Sequence, residues 1–133
     1  MKKILIAFVF MFVVPALYSQ ANLSFCTYVD NEGYCAFNNN KFITTPDSTT
    51  GRIFMKIYSQ VPMGTKLTYK IFALAKDGSE KLTHSFDQAI KEDWLMVWQP
   101  YLFATDAKYR VEVLNGVDKM ICSKSFELIA GKQ

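Results

Sequence analysis

His84 is the only histidine in the chain, and histidine is the side chain whose ordinary pKa suits proton transfer near neutral pH. It sits in Leu82-Thr83-His84-Ser85-Phe86, a strand-like stretch that puts Leu82, His84 and Phe86 on one face. A serine or cysteine nucleophile needs an activating base within reach. Ser85, Ser123, Ser125 and Cys122 are the residues that folding could bring to His84. No Gly-x-Ser-x-Gly elbow surrounds any serine, so His84 reads as a structural or surface residue and no catalytic residue is expected. A closed zinc site takes four Cys or His ligands. Three cysteines and one histidine, unclustered, do not supply one. Asp30-Asn31-Glu32-Gly33 has oxygen ligands beside a glycine but lacks the ligand ladder and distal Glu of a calcium loop. It reads as a turn. There is no phosphate-cradling glycine loop, and no cofactor or metal is expected.

The residues most suited to recognition are Trp94-Leu95-Met96-Val97-Trp98-Gln99-Pro100-Tyr101-Leu102-Phe103. Four aromatics and no charge fall within one short stretch. In an extended chain Trp94, Met96 and Trp98 share one face, while Leu95 and Val97 share the other. If one face fills the core, the second is open to bind. Exposed Trp and Tyr offer large contact area at low entropy cost. Trp94, Trp98, Tyr101 and Phe103 are therefore the candidate binding residues. Burial of both faces, or cover by the polar segment upstream, is the competing reading.

The N-terminus sets the compartment. Lys2 and Lys3 precede an unbroken apolar run from Ile4 to Val14, ended by Pro15 and followed by small residues. This is the three-part pattern of a secretory signal peptide over residues 1–20. Cleavage after Ser19 or after Ala21 fits. Counted through Leu17 the run is 14 residues long, short of the roughly 20 that a membrane span needs. Phe25 stands where a lipidated Cys26 would need a small residue. Membrane contact is therefore expected only during export, with the mature protein periplasmic or secreted.

Stripping the signal changes the electrostatics. The formal charge of +3 includes Lys2 and Lys3, so the mature chain is near +1. That is no footprint for nucleic acid. About 112 residues suit one domain, and two Trp, six Tyr and eight Phe remain to build its core. Cys26, Cys35 and Cys122 remain as well, and an oxidising compartment makes a disulfide expected. One bridge can be drawn three ways. Cys26–Cys35 is favoured, because the turn between them brings the ends together, leaving Cys122 as a small apolar core residue.

Residues 21–50 form a polar, turn-rich segment holding the disulfide loop. Residues 51–133 read as strands, and the two parts together make one domain. Alternation marks Arg52–Tyr58, Lys66–Ala75, Lys81–Phe86, Trp94–Gln99, Tyr109–Leu114 and Met120–Leu128, with shorter candidates at Cys35–Phe37 and Phe42–Thr44. Met120, Cys122, Phe126 and Leu128 share one side of the last strand. Lys76-Asp77-Gly78-Ser79 and Asn115-Gly116 are turn signals, and Pro100 ends the aromatic strand. Phe86 to Asp93 has few β-formers and reads as a turn of helix or a loop. About seven or eight strands punctuated by turns make an all-β sandwich.

Thr105-Asp106-Ala107-Lys108-Tyr109-Arg110-Val111 resembles the penultimate strand of immunoglobulin-like and fibronectin-type domains. The resemblance is carried by Ala107, Tyr109 and Val111 and covers Thr105 to Ile129. It implies an immunoglobulin-like antiparallel β-sandwich whose tyrosine hydroxyl bonds back to the backbone at its corner. Fold does not choose function, and the resemblance transfers no functional residue. Together these features point to an exported, non-catalytic module that binds another protein in the envelope or outside the cell, of the accessory or inhibitor type. The alternatives are a carbohydrate or small-ligand module built on the aromatic run, and a small hydrolase using His84.

Overall fold

The structure, a computed structural model, describes residues 21–131; the export segment expected over residues 1–20 lies outside the described residues. Ten strands run in order: β1 (Ala21–Cys26), β2 (Tyr28–Val29), β3 (Cys35–Ala36), β4 (Lys41–Pro46), β5 (Thr50–Ser59), β6 (Lys66–Leu74), β7 (Glu80–Ala89), β8 (Met96–Ala104), β9 (Ala107–Leu114) and β10 (Met120–Gly131). They form a three-stranded sheet β1-β5-β8, a five-stranded sheet β4-β10-β9-β6-β7, and a small hairpin β2-β3. The protein is all-β, with the two larger sheets packed on a shared core.

The alternation read from sequence builds that core. On β5, Ile53, Met55 and Ile57 turn inward and are almost fully buried. They meet Leu67, Tyr69 and Ile71 of β6, Val111 and Val113 of β9, and Phe126 and Leu128 of β10 in one cluster. Leu23 and Phe25 of β1 and Val97 and Phe103 of β8 complete it. The segment 21–50 is therefore no appendage: β1 joins one sheet and β4 the other. That segment raises the strand count from the expected seven or eight to ten. The polar, turn-rich reading of this segment does not predict β1, although Ala21, Leu23 and Phe25 alternate with Asn22 and Ser24. The pairing is also not wholly antiparallel, since β4 runs parallel to β10.

Two bulges shift faces that simple alternation assigns. Ile71 pairs with His84 but Phe72 pairs with Leu82, leaving Thr83 as the extra residue. An extra residue reverses the side on which the strand before it points. Leu82 therefore faces outward beside Phe72, while His84 and Phe86 turn toward the core side. The Thr83 hydroxyl donates to the Ile71 carbonyl at 3.1 Å and fixes the bulge. A second bulge leaves Ile121 unpaired, with Met120 opposite Leu114 and Cys122 opposite Val113. Met120 is exposed, apart from buried Cys122, Phe126 and Leu128.

Two further expectations change. Phe86 to Ala89 is neither helix nor loop but the end of β7, because Phe86 and Gln88 pair opposite Tyr69 and Leu67. Nor does Pro100 end the aromatic strand. β8 continues to Ala104, with Pro100 opposite Phe54. Ser59 N–H donates to the Leu95 carbonyl and Thr105 N–H to the Thr49 carbonyl. In this register odd-numbered β8 residues bond to β5, and even-numbered ones direct their main-chain groups to the open edge. Pro100 lacks a donor only where no ladder bond is needed.

The turns use the chemistry their residues suggest. The Asp77 carboxylate accepts Ser79 N–H and hydroxyl at 2.9 and 2.7 Å, with Gly78 at φ +89°. The Asn115 side chain accepts the N–H groups of Val117 and Lys119. At the β8–β9 corner the Tyr109 hydroxyl donates to the Ala104 carbonyl at 2.7 Å, as the tyrosine of the resembled strand is expected to do. Burial pushes the Tyr109 phenol upward, so it stays a donor.

Candidate functional site

The expected Cys26–Cys35 disulfide is present, with a Cα–Cα distance of 5.5 Å. It closes the β2-β3 hairpin, whose turn is organised by Asp30. The Asp30 carboxylate accepts the N–H groups of Glu32 and Tyr34, both at 2.9 Å. Both bonds go to Oδ1, which is thus committed to the turn, and no group of three or more metal-ligating side chains occurs among the described residues.

The hairpin lies on the outer face of the three-stranded sheet. That face is laid out by register: Cys26, Phe54 and Pro100 form one row, Ser24, Lys56 and Trp98 the next, and Asn22, Tyr58 and Met96 the third. Tyr28 packs edge-on against Phe54, with ring centres 6.0 Å apart. Gly33, at φ +86°, rests directly on the third and second rows. A Cβ there would come within 2.4 Å of Met96 Sδ and 3.3 Å of the Trp98 ring. Only glycine allows both that conformation and that approach.

Beyond the hairpin's reach the face opens into a cleft of about 640 Å³ at the start of β8. It is lined by Tyr58, Trp94, Leu95, Met96, Val97 and Trp98, with Gln88 and Asp93 as its polar members. The volume lies in the range of small-ligand and peptide sites, roughly 300–1,000 Å³. Tyr58 is 49% exposed and Trp94 and Leu95 are each 40% exposed. Lys91 Nζ sits 5.9 Å from the Trp94 ring centre, and Trp94 N–H donates to the Lys91 carbonyl. Gln88 bridges the two sheets: it accepts the Tyr69 hydroxyl at 2.6 Å and donates to the Trp98 carbonyl at 3.4 Å. Burial drives the Tyr69 phenol far above its usual range, which keeps that donor protonated.

The four aromatic residues expected to bind are divided by the fold. Trp94 and Trp98 line the cleft. Tyr101 turns inward and stacks on Phe86 with ring centres 5.7 Å apart. Phe103 is core, 1% exposed. Odd and even positions on one strand point to opposite faces, so the four cannot form one surface. Tyr58, Gln88 and Asp93 come to the cleft from outside the aromatic run. Tyr58 carried a signal, because it shares the outward parity of Arg52 and Lys56 on β5. Gln88 carried none while its stretch read as a helical turn.

The hydrolase residues are not brought together. His84 is exposed on β7, its ring against Phe86 and Tyr101 at 5.5 and 5.4 Å between centres. Cys122 lies on β10, three strand positions away in the same sheet, or about 14 Å at the usual strand spacing. Ser123 accepts from Arg110 at 3.2 Å. Arg110 also forks onto Glu80 at 2.6 and 3.0 Å and bonds Glu112. Its guanidinium covers Phe72 at 4.5 Å. The hydrogen bonds from Arg110 hold the Glu80 carboxyl below its usual range.

Cys122 is free and buried, and desolvation pushes its thiol up to about 12. Unfolding exposes a thiol that ionises near 9. The unfolded chain then binds fewer protons than the folded one between those values. Stability is full below pH 9 and falls as pH rises toward 12, by about 1.4 kcal/mol per unit. Urea midpoints at pH 7 and pH 10 should show this fall, and Cys122→Ala should remove most of it, the remainder coming from the buried Tyr69 phenol.

No protein-family model matches the chain, and no curated protein matches it.

Proposed function

We propose that this protein is an exported, non-catalytic, immunoglobulin-like module that binds a partner protein through the cleft at the start of β8. The observation that carries the reading is the cleft itself, where Tyr58 and Trp94 remain about half exposed beside Met96 and Trp98. Exposed aromatic clusters of this kind are the anchors that hot spots are made of. Strand order supports the fold assignment: a three-stranded sheet faces a five-stranded one, an early strand pairs parallel to the last, and Tyr109 ties the corner. This combination suits the immunoglobulin-like architecture.

Export is supported by the pattern of residues 1–20 and by the disulfide. Among the described residues no helix is long and apolar enough to cross a membrane. Ala21 is 7% exposed and opens the register of β1 opposite Ser59. Cleavage after Ala21 would remove a packed strand residue, whereas cleavage after Ser19 keeps it. Intact-mass analysis of the exported protein should find Gln20 first, open or cyclised. A chain beginning at Asn22 would contradict this.

A second reading, a neutral carbohydrate ligand, is favoured by Gln88 and Asp93 beside the aromatic rings, since sugars offer C–H faces to stack and hydroxyls to bond. Tryptophan fluorescence separates the two. The protein-binding reading predicts no shift with neutral oligosaccharides and a shift with the partner. A saturable sugar-induced shift lost in Trp94→Ala would move the assignment to carbohydrate.

A further inference from the structure

We infer that the Met96–Trp98 stretch of β8 receives an extended segment of the partner protein as a fourth strand of the β1-β5-β8 sheet. This deepens the cleft reading and rests on it. β8 is an edge strand, paired only with β5 among the described strands. By the register fixed at Ser59–Leu95 and Thr49–Thr105, Met96 N–H and C=O and Trp98 N–H point away from β5. An incoming strand needs such a row of main-chain donors and acceptors.

Two of the other edges are interrupted. The Phe25 carbonyl on the outer side of β1 accepts Asn39 N–H. β7 is bent by the Thr83 bulge. On β8 itself, Pro100 removes the next outward donor and limits addition to about three residues. Gly33 of the hairpin rests on the Met96 and Trp98 side chains, while on the main chain the Gln88 amide reaches the Trp98 carbonyl at 3.4 Å, a weak contact that an incoming N–H can replace.

The bare stretch is also where the cleft opens, so a strand laid there would drop alternate side chains between Tyr58, Trp94 and Trp98. Among the described residues Asp93 is the charged one that lines the cleft, with Lys91 against the Trp94 ring. Charge complementarity therefore assigns the segment a basic side chain next to an apolar one. A Lys or Arg fits both the carboxylate and the rings of Tyr58 and Trp98, Trp94 already carrying Lys91.

The test pans linear heptapeptides displayed on phage against the mature protein and measures selected peptides in solution. The expected result is enrichment of sequences pairing a basic with an apolar residue. Their binding should weaken about tenfold or more in Met96→Pro and in Trp94→Ala. Met96→Pro removes an outward N–H and leaves the β5 ladder intact, as native Pro100 does; Met96→Ala, which trims the same cleft-lining side chain but keeps the N–H, is its control and should bind more tightly than the proline variant. Amide exchange of Met96 and Trp98 in the unmutated protein should slow when peptide is bound, which keeps the test decisive should the proline variant fold poorly. Unchanged exchange with loss only in Trp94→Ala overturns strand addition and leaves the cleft. Indifference to both variants overturns both. Absence of enrichment, or a dimer dispersed by Met96→Pro, overturns the partner segment.

Discussion

Phe126→Ala should lower the free energy of unfolding by about 3–5 kcal/mol, the cost of removing a large buried ring whose site cannot fully collapse. Phe126 is 3% exposed. Its ring centre lies 4.4 Å from Phe25, 4.8 Å from Phe103, 5.5 Å from Tyr109 and 6.2 Å from Phe42. Phe25 and Phe103 belong to the three-stranded sheet, and Tyr109 and Phe42 to the five-stranded one. One side chain thus joins four strands across the interface, and truncation leaves a cavity lined by rings already held by their own strands. Urea unfolding of the variant checks this. Phe126→Leu, which keeps much of the volume, should cost less than half as much. A loss under about 1.5 kcal/mol for the alanine variant would mean that the sheets close over the gap, and that the ring cluster is not the core's keystone.

Trp94→Ala should weaken partner binding by about 30-fold or more, as expected for an aromatic anchor in a cleft, while moving the urea midpoint little. The two effects separate because Trp94 precedes β8 and is 40% exposed, with Lys91 against its ring. Trp98→Ala should behave differently and lose both affinity and stability. Its ring supports Gly33 of the disulfide hairpin, so its removal also unseats the loop. Calorimetry on the partner complex, with denaturation of each variant alongside, checks the split. Equal losses of stability in the two variants would make Trp94 a packing residue instead of an anchor.

Much of the fold was legible because period-two alternation is a property of single strands. Ile53, Met55 and Ile57 declare their face without help. So do Tyr109, Val111 and Val113, and the Cys26–Cys35 bridge follows from the turn between its ends. Register between strands was not legible. Nothing local marks Thr83 or Ile121 as the extra residue of a bulge, so simple alternation puts Leu82 and Met120 on the wrong faces. Pro100 reads as a stop in sequence because a proline breaks a ladder. It is tolerated here because its missing donor points to an open edge, and which strands are edges is a tertiary fact.

The cleft was half visible for the same reason. Alternation puts Trp94, Met96 and Trp98 on one face, and the structure keeps Met96 and Trp98 there. Tyr58 arrives from β5 and Gln88 from β7, brought by pairings that no single stretch encodes. The hairpin that covers part of the aromatic face was foreseeable only as a polar segment of unknown position. Gly33, small enough to lie on Met96 and Trp98, is what lets the hairpin settle there and leave the Trp94 end open.

The most direct test of the binding site is site-specific photo-crosslinking in the producing cells. A photoreactive phenylalanine analogue is placed at Trp94, at Tyr58, or at Leu82 on the outer face of the other sheet, where it is 49% exposed. The cleft reading predicts one common adduct from positions 94 and 58 and none from position 82. An adduct from position 82 with none from 94 and 58 would contradict it and move the binding surface to the five-stranded sheet.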